Sequence, residues 1–298
     1  MIYIKRHTFG AGKWIYKGYK LAWEALGYET SYYSNLDEIE IEGSDCEIMA
    51  LDADINTGNL EKLKKAKRVY LYVQPNRFPL PWGSHPNFVS MASDDIIEKI
   101  NELENVYLWS FGDPGDNHFK WKKVHTIPLA YDSISYQVPP TRDVMYDICY
   151  IGGWANNGFD EKRKILIKHF IRFKESGLKC GFFINRDLTH DQENNIISNS
   201  RLALNIHDAY QRELGLDTNE RTFKALGLNG MLVSDNINQI ARLFPDLEMS
   251  SDPDGLVDIA KKLLNLPADD LELRRASNIQ VILENHCYAH RVKKLLSL

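Results

Sequence analysis

Apolar positions along the chain alternate between short runs and helical stripes. Ile2, Tyr3 and Ile4 open a strand. Ile15, Tyr19, Ala22, Trp23 and Leu26 recur at helical spacing, which predicts a helix from about Trp14 to Leu26, stopped by Gly27, and then a strand from Glu29 to Tyr33. The alternation continues with strands over Asp45–Ala50, Val69–Val73, Val106–Ser110 and Val124–Ala130 and helices over Leu60–Ala66 and Asp94–Leu103. Tyr131 to Tyr146 carries Pro139 and Pro140 and little periodicity, and reads as a linker. A second series follows. Its strands are Ile148–Ile151, Cys180–Ile184, Leu202–Ile206 and Met231–Ser234. Its helices are Lys162–Phe173, Asp191–Asn199, one starting at about Thr218, Ile237–Phe244, Gly255–Leu264, Leu271–Leu283 and Cys287–Leu296. Strands and helices in alternation predict an α/β chain with two Rossmann-like domains.

The helix that starts near Thr218 carries the most chemistry. Asp217 stands three residues before Glu220, a capping-box spacing, and Phe223, Leu226 and Leu228 line the apolar side before Gly227 and Gly230 end the helix. A first helical turn offers unpaired N–H groups and the positive end of the dipole, and Arg221 adds a fixed cation there. Such a place suits a phosphate or diphosphate; a surface arginine on an amphipathic helix gives the same pattern. Gly152 and Gly153 stand between a strand and a helix, where a bound phosphate could approach the backbone, with Arg163 near the helix start; a tight turn needing positive φ accounts for either glycine equally well.

In the first half, Gly10-x-Gly12-Lys13 lacks the earlier glycine of a phosphate-binding P-loop and has Trp14 where Ser or Thr belongs. Asp52 and Asp54 have the spacing of a metal-binding pair, but no further ligand follows, so a capped strand end is expected and no metal site is assigned. Gln74-Pro75-Asn76-Arg77 and the loop with Asp113, Asp116 and His118 follow the carboxyl ends of strands, where ligands gather in α/β sheets. His207, just past a core strand, could serve a ligand or be a packed loop residue.

Composition narrows the classes. The chain has 298 residues, 44% hydrophobic and 26% charged, which fits a globular protein long enough for two domains. A net charge of −5 argues against a polyanion partner held by bulk electrostatics, and the basic groups at Lys62–Arg68 and Lys120–Lys123 read as solvated faces with scope for local anion contacts. Cys46, Cys149, Cys180 and Cys287 form no CxxC pair and read as free thiols of a reducing compartment. There is no leader-like start and no apolar stretch near the roughly 20 residues a membrane helix needs, so a soluble cytoplasmic protein is expected. Phe78, Leu80 and Trp82 leave a peripheral membrane contact open, although Pro79 and Pro81 favour a structured loop.

The segment TNERTFKALGLNGMLVSD, preceded by NIH and followed much later by ILENHCYAHRVKKLL, resembles the C-terminal half of CgeB-like glycosyltransferases, members of the group-1 type with the GT-B fold. The family pattern is roughly N-x-R-x-F-E-x-x-x-x-G, with a terminal His-x-Tyr-x-x-Arg helix. Asn219, Arg221 and Phe223 are in register with Gly230 one residue past the pattern's glycine, and His286, Tyr288 or His290, and Arg291 stand near the end.

The resemblance covers about Asp147 to Leu298. It implies an N-terminal acceptor domain (1–130), a linker (131–146), a C-terminal nucleotide-sugar domain (147–284) and a crossing helix (285–298), with a cleft between the domains. The implied donor residues are Gly152, Gly153, Asn205, His207, Thr218, Asn219, Glu220, Arg221 and Lys224, with a UDP-sugar as co-substrate and no other cofactor. His7, beside Gly10 and Gly12, becomes the candidate general base, with Gln74, Asn76 and His118 on the acceptor side.

Lys224 stands where the family carries the carboxylate that holds the ribose hydroxyls, and a lysine cannot accept those bonds. Either Lys224 meets a phosphate, or Glu220 takes the sugar contact, or donor binding is lost. The implied activity is metal-independent transfer of a sugar from a nucleotide-diphosphate sugar to an acceptor hydroxyl of a glycan, lipid-linked or small molecule. The alternatives are a non-catalytic nucleotide- or glycan-binding protein, or a modified base in DNA as acceptor.

Overall fold

The structure is a computed structural model that describes residues 1–8, 10–41, 45–75, 92–114, 118, 120–139, 141–154 and 161–298. The chain divides into two units, Met1–Pro128 with Tyr288–Leu298, and Leu129–Cys287.

The first unit runs β1 (Ile2–Lys5), α1 (Gly10–Ala25), β2 (Thr30–Tyr33), β3 (Glu47–Leu51), α2 (Leu60–Lys65), β4 (Arg68–Tyr72), α3 (Asp94–Asn101), β5 (Val106–Ser110) and β6 (His125–Thr126). The strands form one parallel sheet in the order β2-β1-β3-β4-β5-β6. Ile48, Met49 and Ala50 on β3 and Val69, Tyr70 and Leu71 on β4 are fully buried, as strands covered on both faces must be. The strand expected to reach Ala130 is only two residues long. Ile127 N still donates to Ser110 O, but Pro128 has no N–H to continue the ladder.

The second unit runs β7 (Tyr146–Gly152), α4 (Glu161–Glu175), β8 (Cys180–Ile184), α5 (His190–Ser198), β9 (Ser200–Asn205), α6 (Ala209–Leu214), α7 (Glu220–Leu228), β10 (Leu232–Ser234), α8 (Asn238–Leu243), α9 (Pro253–Leu264) and α10 (Ala268–Asn285). Its parallel sheet has the order β10-β9-β7-β8. Ile148, Tyr150, Leu202, Leu204 and Val233 share one apolar core with Leu166 and Phe173 of α4 and with Leu256 and Ala260 of α9.

The last helix, α11 (Tyr288–Leu296), belongs to the first unit. It lies against α1 where Gly18 leaves room: a side chain at that position would overlap the Tyr288 ring, which meets Tyr19 edge-on at 4.9 Å. Arg291 Nε donates to Pro128 O at 2.8 Å, and Val292 and Leu295 are buried.

Four more expectations are corrected. The segment expected as a linker belongs to the second unit, because its aromatic residues anchor it. Tyr131 is buried against Gly227 and donates from its hydroxyl to Tyr136 O at 3.1 Å, while Tyr136 donates to Glu193 at 2.6 Å. Helix α1 begins at Gly10, so Gly10 and Gly12 open a helix instead of forming a loop, with Gly10 at φ 61 making the entry. Helix α6 was not anticipated; it is closed by Gly215 in the left-handed region at φ 64. Finally, α7 starts at Glu220 with Asn219 as its N-cap and without a side-chain capping bond, and Asp217, which has the capping-box spacing, accepts from Gln211 Nε2 at 3.4 Å instead.

Gly18→Leu is expected to lower stability by about 1–3 kcal/mol through overpacking of the α1–α11 contact. Thermal unfolding checks this, and an unchanged melting temperature would refute that tight contact.

Candidate functional site

Strands β7 and β9 are neighbours, and their carboxyl ends meet the first turn of α7. Arg221, in that turn, donates from Nε to Ile151 O at 2.6 Å and from Nη1 to Asn205 Oδ1 at 2.8 Å. Its guanidinium lies 4.8 Å from the centre of the Tyr150 ring. Nη2 makes no hydrogen bond among the described residues and lies beside Gly152, where any side chain would overlap it. Neither Gly152 nor Gly153 has positive φ, so close approach is the reason for glycine. A Cβ on Gly153 would come 2.8 Å from Asn185 Oδ1, which also accepts from Trp154 N. Tyr150 Oη and Asn219 Oδ1 are buried in the same region without a partner among the described residues.

Beneath the arginine lies a polar chain. Asn205, His207, Thr218, Thr222 and Asp235 are all fully buried. His207 Nδ1 is 2.5 Å from Asp235 Oδ1, its Nε2 is 2.8 Å from Thr218 Oγ1, and its backbone N–H donates to Asp235 Oδ2 at 3.0 Å. Burial holds the imidazole below its usual pKa despite Asp235, so it is neutral at pH 7. Burial alone would raise Asp235, but the bonds from His207 and the charge of Arg212 outweigh it and hold this carboxyl below its usual range. Lys162, buried in the first turn of α4, donates to Ile206 O at 2.5 Å and lies 3.4 Å from Asp208. Burial brings its pKa down to about 8.

Lys224 does not face this site as a free cation. Its Nζ is 2.9 Å from Glu193 Oε2 and 3.5 Å from Glu220 Oε2, and it stands over the Tyr136 ring at 4.9 Å. Its side chain is 8% exposed and those of Glu193 and Glu220 are 19% and 12%, so this is a buried ion cluster. Burial would lower Lys224, but the two carboxylates outweigh it and the group titrates above its ordinary range.

In the first unit, His7 follows β1. Its ring stacks on Tyr16 at 4.5 Å and packs close to Gly12. Burial lowers its pKa, offset in part by Asp54, and its Nε2 has no partner among the described residues. Asp54 is paired with Lys5 at 2.5 Å, and buried Asp52 accepts from Gln74 N at 2.9 Å, so each carboxylate of the apparent metal pair is committed to a nearby group. Gln74 is tied to Asp52. His118 is buried with Nε2 3.1 Å from Ser110 Oγ, and burial pushes its pKa down to about 4. Asn76, Asp116, Phe78, Leu80 and Trp82 lie outside the described residues. Thr222, Asp235, Lys162 and Glu193 were not anticipated as site residues. For Thr222 the signal was present, one turn after Thr218 on the same helix face.

Two parallel α/β sheets with their polar groups at the strand ends are those of the GT-B fold. The solved structures agree at low identity. T4 phage BGT, in complex with its UDP-glucose substrate, matches with a TM-score of 0.60 and 12% identity over 99% of this chain and 97% of that one. TarM matches at 0.57 and 12% identity over 94% and 57%. An E. coli trehalose-6-phosphate structure bound with UDP-2-fluoro glucose matches at 0.55 and 12% identity over 97% and 78%. Residues 158–297 match the family described as glycosyl transferase-like. No curated protein matches the chain in sequence. The fold is therefore the GT-B fold, and within it residues 158–297 are similar to the glycosyl transferase-like family.

Two outcomes are expected. Lys224→Met leaves Glu193 and Glu220 as buried carboxylates without their cation, and should cost about 3–5 kcal/mol in urea unfolding. His207 carries a sign for pH. Its folded pKa lies below the ordinary 6.5, so on acidification through that value the unfolded chain takes up a proton the folded chain refuses. Stability should fall below about pH 6.5, and His207→Gln should flatten that slope; an unchanged slope would assign it to other groups.

Proposed function

We propose that the chain transfers a sugar from a nucleotide-diphosphate sugar, with UDP as the nucleotide, to an acceptor hydroxyl. The observation that carries this reading is the seat of Arg221: two of its nitrogens are fixed by Ile151 O and Asn205 Oδ1, while Nη2 is left beside the bare backbone at Gly152. A cation so held, next to the first N–H groups of α7, suits the departing diphosphate, whose negative charge grows as the glycosidic bond breaks. Lys162 adds a second cation near the end of β9, so no metal is invoked for that task. Gly152 and Gly153 line the diphosphate, Asn205, His207 and Thr218 support its arginine, and Asn219 Oδ1, without a partner among the described residues, is left to accept from a hydroxyl of the donor. Glu220, one turn before Lys224, takes the ribose hydroxyls that the family gives to the residue at position 224.

His7 is the general base. It is neutral and partly buried, and its Nε2, buried and without a partner among the described residues, is the atom left to take the proton of the attacking hydroxyl. Gly12 lets its ring pack against the start of α1, Gly10 borders open space, and Gln74 and His118 belong to the acceptor side. The non-catalytic alternative loses its main support, since Lys224 is engaged by Glu193 and Glu220 and is not a lone misplaced cation.

A base in DNA is a second reading of the acceptor, favoured by the fold match to a DNA-modifying β-glucosyltransferase at TM-score 0.52 over 100% of both chains. Charge weighs against it. Lys62 donates to the carbonyls of Leu36, Asp37 and Ile39, Lys64 pairs with Glu61, and Lys120 pairs with Asp94 and Glu98.

Titration calorimetry with UDP and UDP-glucose tests the reading. Arg221→Ala should weaken UDP binding about 10- to 100-fold while the protein stays folded. His7→Ala should leave UDP affinity unchanged and reduce turnover about 10²- to 10⁴-fold. Failure of the wild type to bind any nucleotide sugar would overturn the reading.

A further inference from the structure

The buried chain under Arg221 has a direction that chemistry fixes from both ends. At one end the guanidinium only donates, so Asn205 must present Oδ1 to it and turn Nδ2 inward, where Nδ2 donates to Thr222 Oγ1 at 2.8 Å. At the other end Asp235 only accepts, so His207 Nδ1 carries the proton and neutral Nε2 must accept, from Thr218 Oγ1 at 2.8 Å and more distantly from Asn205 Nδ2 at 3.4 Å. Between them the two threonine hydroxyls are 2.6 Å apart. Thr218 spends its proton on His207, so Thr222 donates to Thr218. Each hydroxyl then donates once and accepts once, and the series Arg221→Asn205→Thr222→Thr218→His207→Asp235 runs one way. Gln239 holds the Thr218 backbone N–H at 2.9 Å and keeps that link in place.

We propose that this one-way chain is the positioning device for the diphosphate-binding arginine: it locks the Asn205 amide in the single orientation that accepts from Arg221, and so aims Nη2 at the space beside Gly152. The inference rests on the nucleotide-sugar reading above. Thr218, Thr222, His207 and Asp235 are positioning residues in it, and His207 is not an acid or base in the reaction. The alternative amide orientation would set an NH₂ group against the guanidinium, two donors facing one another with nothing between them to accept. Fixing the direction excludes that orientation, and polarisation along the series strengthens each bond.

Thr222→Val keeps the shape and removes the link; Thr222→Ser keeps the hydroxyl. With UDP as the probe in calorimetry, Thr222→Val should weaken affinity roughly tenfold and Thr222→Ser should stay within about twofold of the wild type. In an Arg221→Ala background, Thr222→Val should cost nothing further, since the group it positions is gone. A merely structural role predicts the same fractional loss with or without Arg221. Full UDP affinity in Thr222→Val, or equal losses in the two backgrounds, overturns the inference while leaving the nucleotide-sugar reading in place; a wild type that ignores UDP overturns that reading itself. If Thr222→Val does not fold, Thr218→Val removes the next link and is read in the same way.

Discussion

A charged side chain fixed over the ends of two parallel strands is the constraint on which the second unit turns. Arg221 can donate to Ile151 O only because β7 ends just there, and to Asn205 only because β9 stops beside it. Parallel register places both ends on one edge, where the first turns of α4 and α7 also stand. Gly152 is then required for the space its missing side chain leaves. The guanidinium also covers the face of Tyr150, which keeps it planar against the sheet end and limits its freedom before any ligand arrives.

Much of this was legible in the residues. Short apolar runs alternating with helical stripes gave both sheets, since fully buried parallel strands leave a run of hydrophobic residues that no polar face interrupts. Arg221 in the first turn of a helix after a core strand was readable too. The threonine links were less so: Thr218 and Thr222 look like ordinary N-terminal polar residues until β9 and β10 bring His207 and Asp235 beneath them. The segment 131–146 misled for a related reason. Its anchors, Tyr131 and Tyr136, act singly and leave no period to detect, yet each is buried and hydrogen-bonded. Helix α6 is a single short turn set, and its signal, Asp208 three residues ahead of Gln211 with Gly215 at the close, is brief against a mixed background.

Lys224 shows how a departure from a family pattern can be resolved by a residue far along the chain. Alone, a lysine in place of a carboxylate suggests a spoiled ribose contact. The fold brings Glu193 from α5 to within 2.9 Å, and Glu220 from the preceding turn to 3.5 Å. The net result is a site with carboxylates on two sides of one buried cation. Desolvating three ions is costly, and the cluster holds only because attraction at short range and the Tyr136 hydroxyl offset that cost. Lys224 therefore keeps Glu220 and Glu193 charged neighbours of one another where two bare carboxylates would repel. A carboxylate remains one turn away from where the family pattern places it.

The first unit reaches a related end by different means. His7 and His118 both titrate below the ordinary histidine value, and burial is the leading cause in each. Yet their surroundings separate them. His118 has Ser110 against its Nε2 and is almost fully buried, which suits a fixed structural contact. His7 is half-buried, stacked on Tyr16 so that its ring cannot swing freely, and its Nε2 meets no described partner. A base needs a lone pair presented in a fixed direction and a neutral resting state near pH 7. Stacking fixes the direction of the ring, desolvation favours its neutral form, and the nearby Asp54 carboxylate raises its affinity for a proton. The stacking and the carboxylate separate His7 from His118 and are what support the role proposed for it.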